Sequence, residues 1–316
     1  MSTELIPTLE TAIARRLAAW SSDARGAYAA ATERALRVDS RVFSEWCAAA
    51  ALAALPAAPA TVGRFLREQS NAGLAVATVR RRAASIATLH RAAGVANPCA
   101  AEPVRLALRA IARERGTDQH QAAPLSARDA QRIADRVLGD DTRARDVRDV
   151  ALMLVGRDLL ARASELVSLT VDAVTFDIDG RATCAVRRRK TSTAAQVCLL
   201  GPDATAALKR WLDGARITSG AVFQSITKSG RATGTPLSAR DVSRILKVLA
   251  GRVRLDAARI SGHSLRVGMA CDLVAANIDG AAIQQAAGWS TPRMLARYTG
   301  KLAAKRGAIA RFYRSG

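Results

Sequence analysis

Between Ser261 and Gly300 the chain reads SGHSLRVGMACDLVAANIDGAAIQQAAGWSTPRMLARYTG, a stretch that carries a histidine, an arginine, a tryptophan and a tyrosine, each able to meet a phosphate. His263 and Arg266 stand at i and i+3. A helix opening at Ser264 would therefore project both from its first turn, where unpaired backbone N–H groups already favour an anion. Asn277 is placed to end that helix, and Gly288 to end the next. A third is expected from Ser290-Thr291-Pro292, with a hydroxyl cap and an early proline, so that Tyr298 rides a short element between two glycines.

These residue types suit attack on a phosphodiester. Negative charge builds there on two non-bridging oxygens, which a planar guanidinium meets with paired, permanently charged donors. A phenol, ordinarily with a pKa of about 10, is barely ionised at pH 7 and needs a proton acceptor or a concerted path, and His263 is the candidate acceptor. The Trp289 indole N–H can reach a phosphate, or the ring can serve as a packing wall with one polar handle.

The order H-S-L-R, then G-W-S, then R-Y-T, with Trp289 nine residues before Tyr298, resembles the second half of the tyrosine recombinase (phage integrase) signature, closest to its Cre-type members. Upstream, Arg162-Ala163-Ser164-Glu165-Leu166 matches the family's first arginine motif. Lys190, the first lysine in a chain that until then uses arginine for every cation, matches its hairpin lysine within RRRKTSTAAQ. The resemblance implies Tyr298 as nucleophile, Arg162 and Arg266 on the non-bridging oxygens, Glu165 as support and His263 as proton acceptor. Lys190 is then the general acid for the leaving 5′-oxygen, and Trp289 fills a position the family gives to histidine or tryptophan. Neither a metal nor any other cofactor is implied.

Composition agrees with a polyanionic partner. Lys+Arg number 48 against 27 Asp+Glu, a net charge of +21. Residues 1–122 hold 16 basic and 10 acidic side chains, a balance of +6; the remainder hold 32 and 17, a balance of +15. Both halves would be drawn to DNA. Five cysteines, at 47, 99, 184, 198 and 271, form no CxxC pair and no ligand spacing with the histidines at 90, 120 and 263, so they read as reduced, buried small hydrophobes. Neither a signal peptide nor a membrane-spanning run is evident, since the longest apolar stretch is alanine broken by Pro56 and Pro59. A cytoplasmic, nucleoid-associated protein is expected.

The elements that must position these residues follow from pattern. From Leu5 to about Arg115 the period is helical, with breaks at Ser21-Ser22, Pro56, Asn71-Gly73 and Asn97-Pro98, giving four or five short helices. One of them, near Val76 to Ala93, puts Val76, Val79, Ala83, Ile86 and Leu89 on one stripe and Arg80, Arg81, Arg82 and Arg91 elsewhere. Such a basic helix suits a major groove or, equally, the solvated face of a bundle; its likeness to the Cre-type stretch implies DNA contact, as it does for Arg188 and Arg189. His90 reads as structural. The polar, aperiodic run from Arg113 to Pro124 reads as a linker, which places the boundary near residue 122. Helices are expected from Ser126 and over Arg145–Leu160, short strands over Val171–Phe176, Ala182–Arg187 and Gln196–Leu200, and helices over Asp203–Gly214 and Ser238–Val253.

The fold class expected is mainly α with a small antiparallel β-sheet. A helical core-binding domain (1–122) and an α+β tyrosine-recombinase catalytic domain (123–316) would form a C-shaped clamp on DNA. The implied partners are double-stranded DNA with paired inverted repeats and three further copies of the chain, in a tetramer docked through the tail after Tyr298. Two rivals stand beside this reading. A type IB topoisomerase would use the same side chains to relax DNA, and a DNA-binding regulator would do no chemistry and leave the constellation unexplained.

Overall fold

The computed structural model describes residues 8–117, 121–139, 142–188, 194–306 and 312–313. Its contacts divide the chain into two compact units that meet between residues 120 and 121. As expected, helices dominate and the strands are few, short and antiparallel.

Among the described residues five α-helices build the first unit: α1 (Leu9–Asp23), α2 (Ala30–Ala49), α3 (Pro59–Asn71), α4 (Val76–Ala92) and α5 (Glu102–Arg115). The break expected at Ser21-Ser22 falls instead after Asp23, because two serines lower helix propensity without forbidding the turn. Pro59 starts α3 at a position where its missing N–H costs nothing. Phe43, Val62, Phe65, Leu66, Val79, Ile86, Val104 and Ile111 form the core. Val76, Val79, Ala83 and Ile86 of the α4 stripe are buried there, while Leu89 is half-buried. His90 is structural: Nε2 accepts the Ala57 N–H at 3.0 Å and Nδ1 pairs with the Ile86 carbonyl at 2.8 Å.

The second unit is organised around α7 (Ala144–Asp158), which is buried almost throughout. Packed on it are α6 (Ala127–Val137), α9 (Pro202–Ala215), α10 (Ala239–Arg252) and α11 (His263–Ala275). Between α7 and α9 lie α8 (Ala163–Val167) and a sheet of β1 (Val174–Phe176), β2 (Ala182–Val186) and β3 (Gln196–Leu200), antiparallel in chain order. Residues Val171–Ala173, expected in the first strand, form a 3-10 turn, so that strand is half the expected length. A hairpin of β4 (Gln224–Ile226) and β5 (Ala232–Pro236) was not expected, since its polar composition shows no apolar alternation.

Two more helices follow among the described residues, α12 (Gly280–Ala287) and α13 (Arg293–Arg306). Asn277 leaves the helix in the left-handed region at φ 59°, as its place after α11 suggested. Tyr298 does not sit on a short element, however: α13 continues through Gly300, whose flexibility costs a helix only about 1 kcal/mol.

The segment entering the second unit lies along α11. The Ala123 N–H donates to the Arg259 carbonyl at 2.9 Å, and the Leu125 N–H to that of Ser264 at 3.0 Å. Gly268 permits this approach, since a Cβ there would stand 1.9 Å from the Leu125 oxygen. The buried Arg157 donates to the same oxygen and to Asp272 at 2.7 Å, fastening the segment to α7 as well.

Candidate active site

Arg266 forms the floor of the site. It is 1% exposed, on the first turns of α11, and donates from Nη1 to the Leu160 carbonyl and from Nη2 to the Ala287 carbonyl at 2.6 Å. Leu160 follows α7 with φ 45°, a left-handed conformation that turns its carbonyl toward the arginine and that a branched side chain adopts at a cost of about 1–2 kcal/mol. Two of five guanidinium donors are thereby engaged, leaving up to three for an anion. Burial lowers the pKa of this guanidinium to about 10, Arg162 and Arg188 add to the fall, and Glu165 and Tyr298 oppose it. It therefore stays charged at neutral pH.

Arg162 stands at the mouth with its side chain 43% exposed. It caps α8, and Glu165, three residues on, accepts both its backbone N–H at 2.8 Å and its guanidinium. A second cation, Arg188, approaches the other Glu165 oxygen at 3.5 Å. Glu165, only 8% exposed, thus sits between two arginines.

His263 opens α11, one residue earlier than its spacing suggested, with Gly262 as the cap. Partial withdrawal from water lowers its imidazole pKa, and the charges of Arg266, Arg162 and Arg297 lower it further, although the residue keeps an exposed edge. A histidine so placed is neutral at pH 7 and able to accept a proton.

Trp289 and Tyr298 complete the cluster. Gly288, left-handed at φ 62°, ends α12 and turns the chain so that the Trp289 ring faces inward. The Trp289 ring lies 4.9 Å beneath the Arg266 guanidinium and meets Tyr298 edge-on at 5.4 Å. Both aromatic residues are buried, with Leu160, Val267, Ala270, Ile283 and Ala287 around them. The Tyr298 carbonyl also receives the Gln121 amide at 3.3 Å. Arg162, Glu165, His263, Arg266, Trp289 and Tyr298 are therefore brought together from α8, α11, the turn after α12, and α13.

Other residues expected at a functional surface are placed differently. Lys190 and Arg189 lie outside the described residues. Arg188, expected to contact DNA, is buried: Nη2 donates to the carbonyls of Leu159 at 2.6 Å and Ala286 at 2.8 Å, while Nε donates to Gln196 at 2.9 Å. That geometry removes its side chain from the surface and makes it a staple between the base of the hairpin, α7 and α12. A signal for this was present, since Ala182, Cys184 and Val186 alternate inward along β2 and residue 188 continues their parity. In the first unit Arg80, Arg81 and Arg91 are exposed, while Arg82 is largely withdrawn. Gln121 and the Leu160 carbonyl had no signature at all, because a backbone acceptor and an amide from a distant turn carry no motif. Among the described residues no helix is long and apolar enough to cross a membrane, and no His/Cys/Asp/Glu cluster could hold a metal.

Comparison with known proteins agrees with this architecture. Residues 124–305 match the model of the phage integrase family. The chain is 32% identical over 282 residues to the integrase/recombinase xerD homolog of Selenomonas ruminantium, covering 84% of this chain and 80% of that protein. It is 26% identical over 310 residues to recombinase cre of Escherichia phage P1, covering 92% and 90%. Among solved structures, the Tn1549 transposon integrase in complex with transposon right end DNA shares the fold with a TM-score of 0.64 at 13% identity, over 90% of this chain and 94% of that one. The XerH site-specific recombinase bound to palindromic difH substrate does so at 0.57 and 14%, over 80% and 72%. The chain, by its matched domain and by relatives aligned over most of their length, belongs to the phage integrase family of tyrosine recombinases.

Proposed function

We propose that this chain is a site-specific DNA recombinase that cuts and rejoins strands through a covalent tyrosine intermediate. The observation that carries the reading is the packing of Tyr298 against Trp289 and of Trp289 against Arg266, with Arg162 and His263 beside them. The Tyr298 oxygen attacks phosphorus while the bond from phosphorus to the 5′-oxygen breaks. Its proton passes to the neutral His263, and Arg162 and Arg266 neutralise the charge that develops on the non-bridging oxygens. Lys190 supplies the proton that the departing 5′-oxygen needs.

The product is a 3′-phosphotyrosyl enzyme and a free 5′-hydroxyl, and the covalent link retains the phosphodiester energy. A 5′-hydroxyl from another duplex reverses the step, so one round of exchange leaves a Holliday junction and a second resolves it. No metal or nucleotide enters this sequence of steps. Two sites with two protomers each make a tetramer on paired inverted repeats, and the exposed Phe312 and Tyr313 suit an end that docks on a neighbouring protomer. The integrase and XerH complexes named above, solved on DNA, support duplex DNA as the partner.

The test is Tyr298→Phe, which removes one hydroxyl and no charge. It should bind duplex DNA with nearly unchanged affinity and yield no covalent complex on a nicked substrate. Residual covalent complex would move the nucleophile to Tyr28 or Tyr313. A substrate bearing two sites then separates strand exchange from simple relaxation.

A further inference from the structure

Three consecutive arginines on an α-helix point about 100° apart, so Arg80, Arg81 and Arg82 of α4 cannot share one face. What they do instead is decided by Asp39 on α2, whose side chain is fully inaccessible to solvent. Its Oδ2 accepts from Arg81 Nη1 and from the Ser85 hydroxyl, both at 2.9 Å. Its Oδ1 lies 3.8 Å from Arg82 Nε, and neither of these two atoms has a hydrogen-bond partner. Arg80 is exposed, Arg81 keeps 44% of its side chain in water, and Arg82 keeps only 14%.

The triplet is therefore graded rather than uniform. A freely solvated arginine meets phosphates in many rotamers and reads no sequence. Arg81 has one nitrogen held by a buried carboxylate, which leaves its other donors presented in a fixed plane. A guanidinium held this way matches the paired acceptors O6 and N7 of guanine in the major groove, and little of its rotamer entropy remains to be lost on binding. We propose that Asp39 is a specificity-determining positioning residue: it buttresses Arg81 for a guanine edge and draws Arg82 away from the phosphates. The proposal rests on the DNA-binding reading above, with Arg81 as the contacting residue.

The experiment is selection by the full-length protein from duplexes carrying a randomised stretch, followed by sequencing. Wild type should enrich a motif that includes at least one G·C pair preferred on the order of tenfold. Asp39→Asn keeps the shape and removes the charge, and Arg81→Lys keeps the charge and removes the fork. Both should reduce preference at that same pair to about twofold or less and leave the other positions intact. Affinity of Asp39→Asn for unselected duplex should be equal or higher, since the buried negative charge that held Arg81 and Arg82 is gone and the basic face above it is left more positive.

A motif unchanged in Asp39→Asn overturns the proposal, as does an even weakening at every position, which would mark Asp39 as a structural pin between α2 and α4. If Asp39→Asn does not fold, Arg81→Lys and Ser85→Ala decide: an unchanged motif in Arg81→Lys overturns it, and loss at one pair in both supports it. No motif from wild type would instead overturn the DNA-reading assignment, and this inference with it.

Discussion

Trp289 stands edge-on to Tyr298, ring centroids 5.4 Å apart at an interplanar angle of 62°, while a face of the same indole supports Arg266. One side chain thus sets the position of both the candidate nucleophile and a guanidinium of the site. Trp289→Ala should cost about 3–5 kcal/mol of stability and slow covalent complex formation by misplacing both partners. Trp289→Phe restores the wall and the cation–π face and should recover most of the single-turnover rate. If phenylalanine is as slow as alanine, by the roughly 100- to 1,000-fold that a lost oxyanion donor costs, the indole N–H is the functional group.

His263 is held below its ordinary pKa of 6.5 by desolvation and by Arg266, Arg162 and Arg297. A lowered value keeps the imidazole neutral to lower pH, so the acid limb of the cleavage rate at subsaturating DNA should fall below pH 6.5. His263→Ala should lose that limb and about 100- to 10,000-fold in rate. A limb that persists unchanged in the variant assigns the titration to another group.

His90 offers a stability measurement in the other unit. Burial lowers its pKa, the Ile86 carbonyl partly opposes the fall, and Nε2 must stay unprotonated to accept the Ala57 N–H. Because the folded value lies below 6.5, the unfolded chain binds the extra proton. Stability should be whole above pH 6.5 and decline as pH falls through and below it, at up to about 1.4 kcal/mol per pH unit. Denaturant melts across this range should show a shallower decline in His90→Gln.

Arg188 and Arg80 can be told apart by salt. An inward staple makes no phosphate contact, so Arg188→Ala should leave the slope of log affinity against log salt unchanged while costing about 1–3 kcal/mol of stability through the carbonyls it leaves without this donor, Glu165 keeping Arg162 as its partner. Exposed Arg80, if it meets a phosphate, should lower that slope by about 0.9 when replaced by alanine. A reduced slope in Arg188→Ala would show that the side chain swings outward on DNA.

Lys190 is tested by its leaving group. Lys190→Ala should cleave normal DNA slowly because a 5′-oxygen of high pKa leaves poorly without a proton. Sulfur at the bridging position leaves as a thiolate, so this variant should recover on that substrate, whereas Arg162→Ala and Arg266→Ala should recover less. Lack of selective rescue would make the lysine a phosphate contact.

Residue spacing by itself determined the helical stripe of α4, the capped starts of α6 and α10, the inward parity of β2, and the placing of His263 and Arg266 on one helical turn. These are properties of a single element, whose period its own residues dictate. The motif order carried the family, because six side-chain types at set intervals rarely coincide. Parity along β2 points Arg188 inward, but tertiary structure decided what it meets there. Arg188 and Arg80 each sit in a three-arginine run, and the carbonyls of Leu159 and Ala286 hold the one while the other stands in open solvent. The same holds for Asp39, for Gly268 beneath Leu125, and for the Leu160 carbonyl under Arg266. Each depends on a partner far along the chain, and local periodicity says which face is buried but not what stands opposite it.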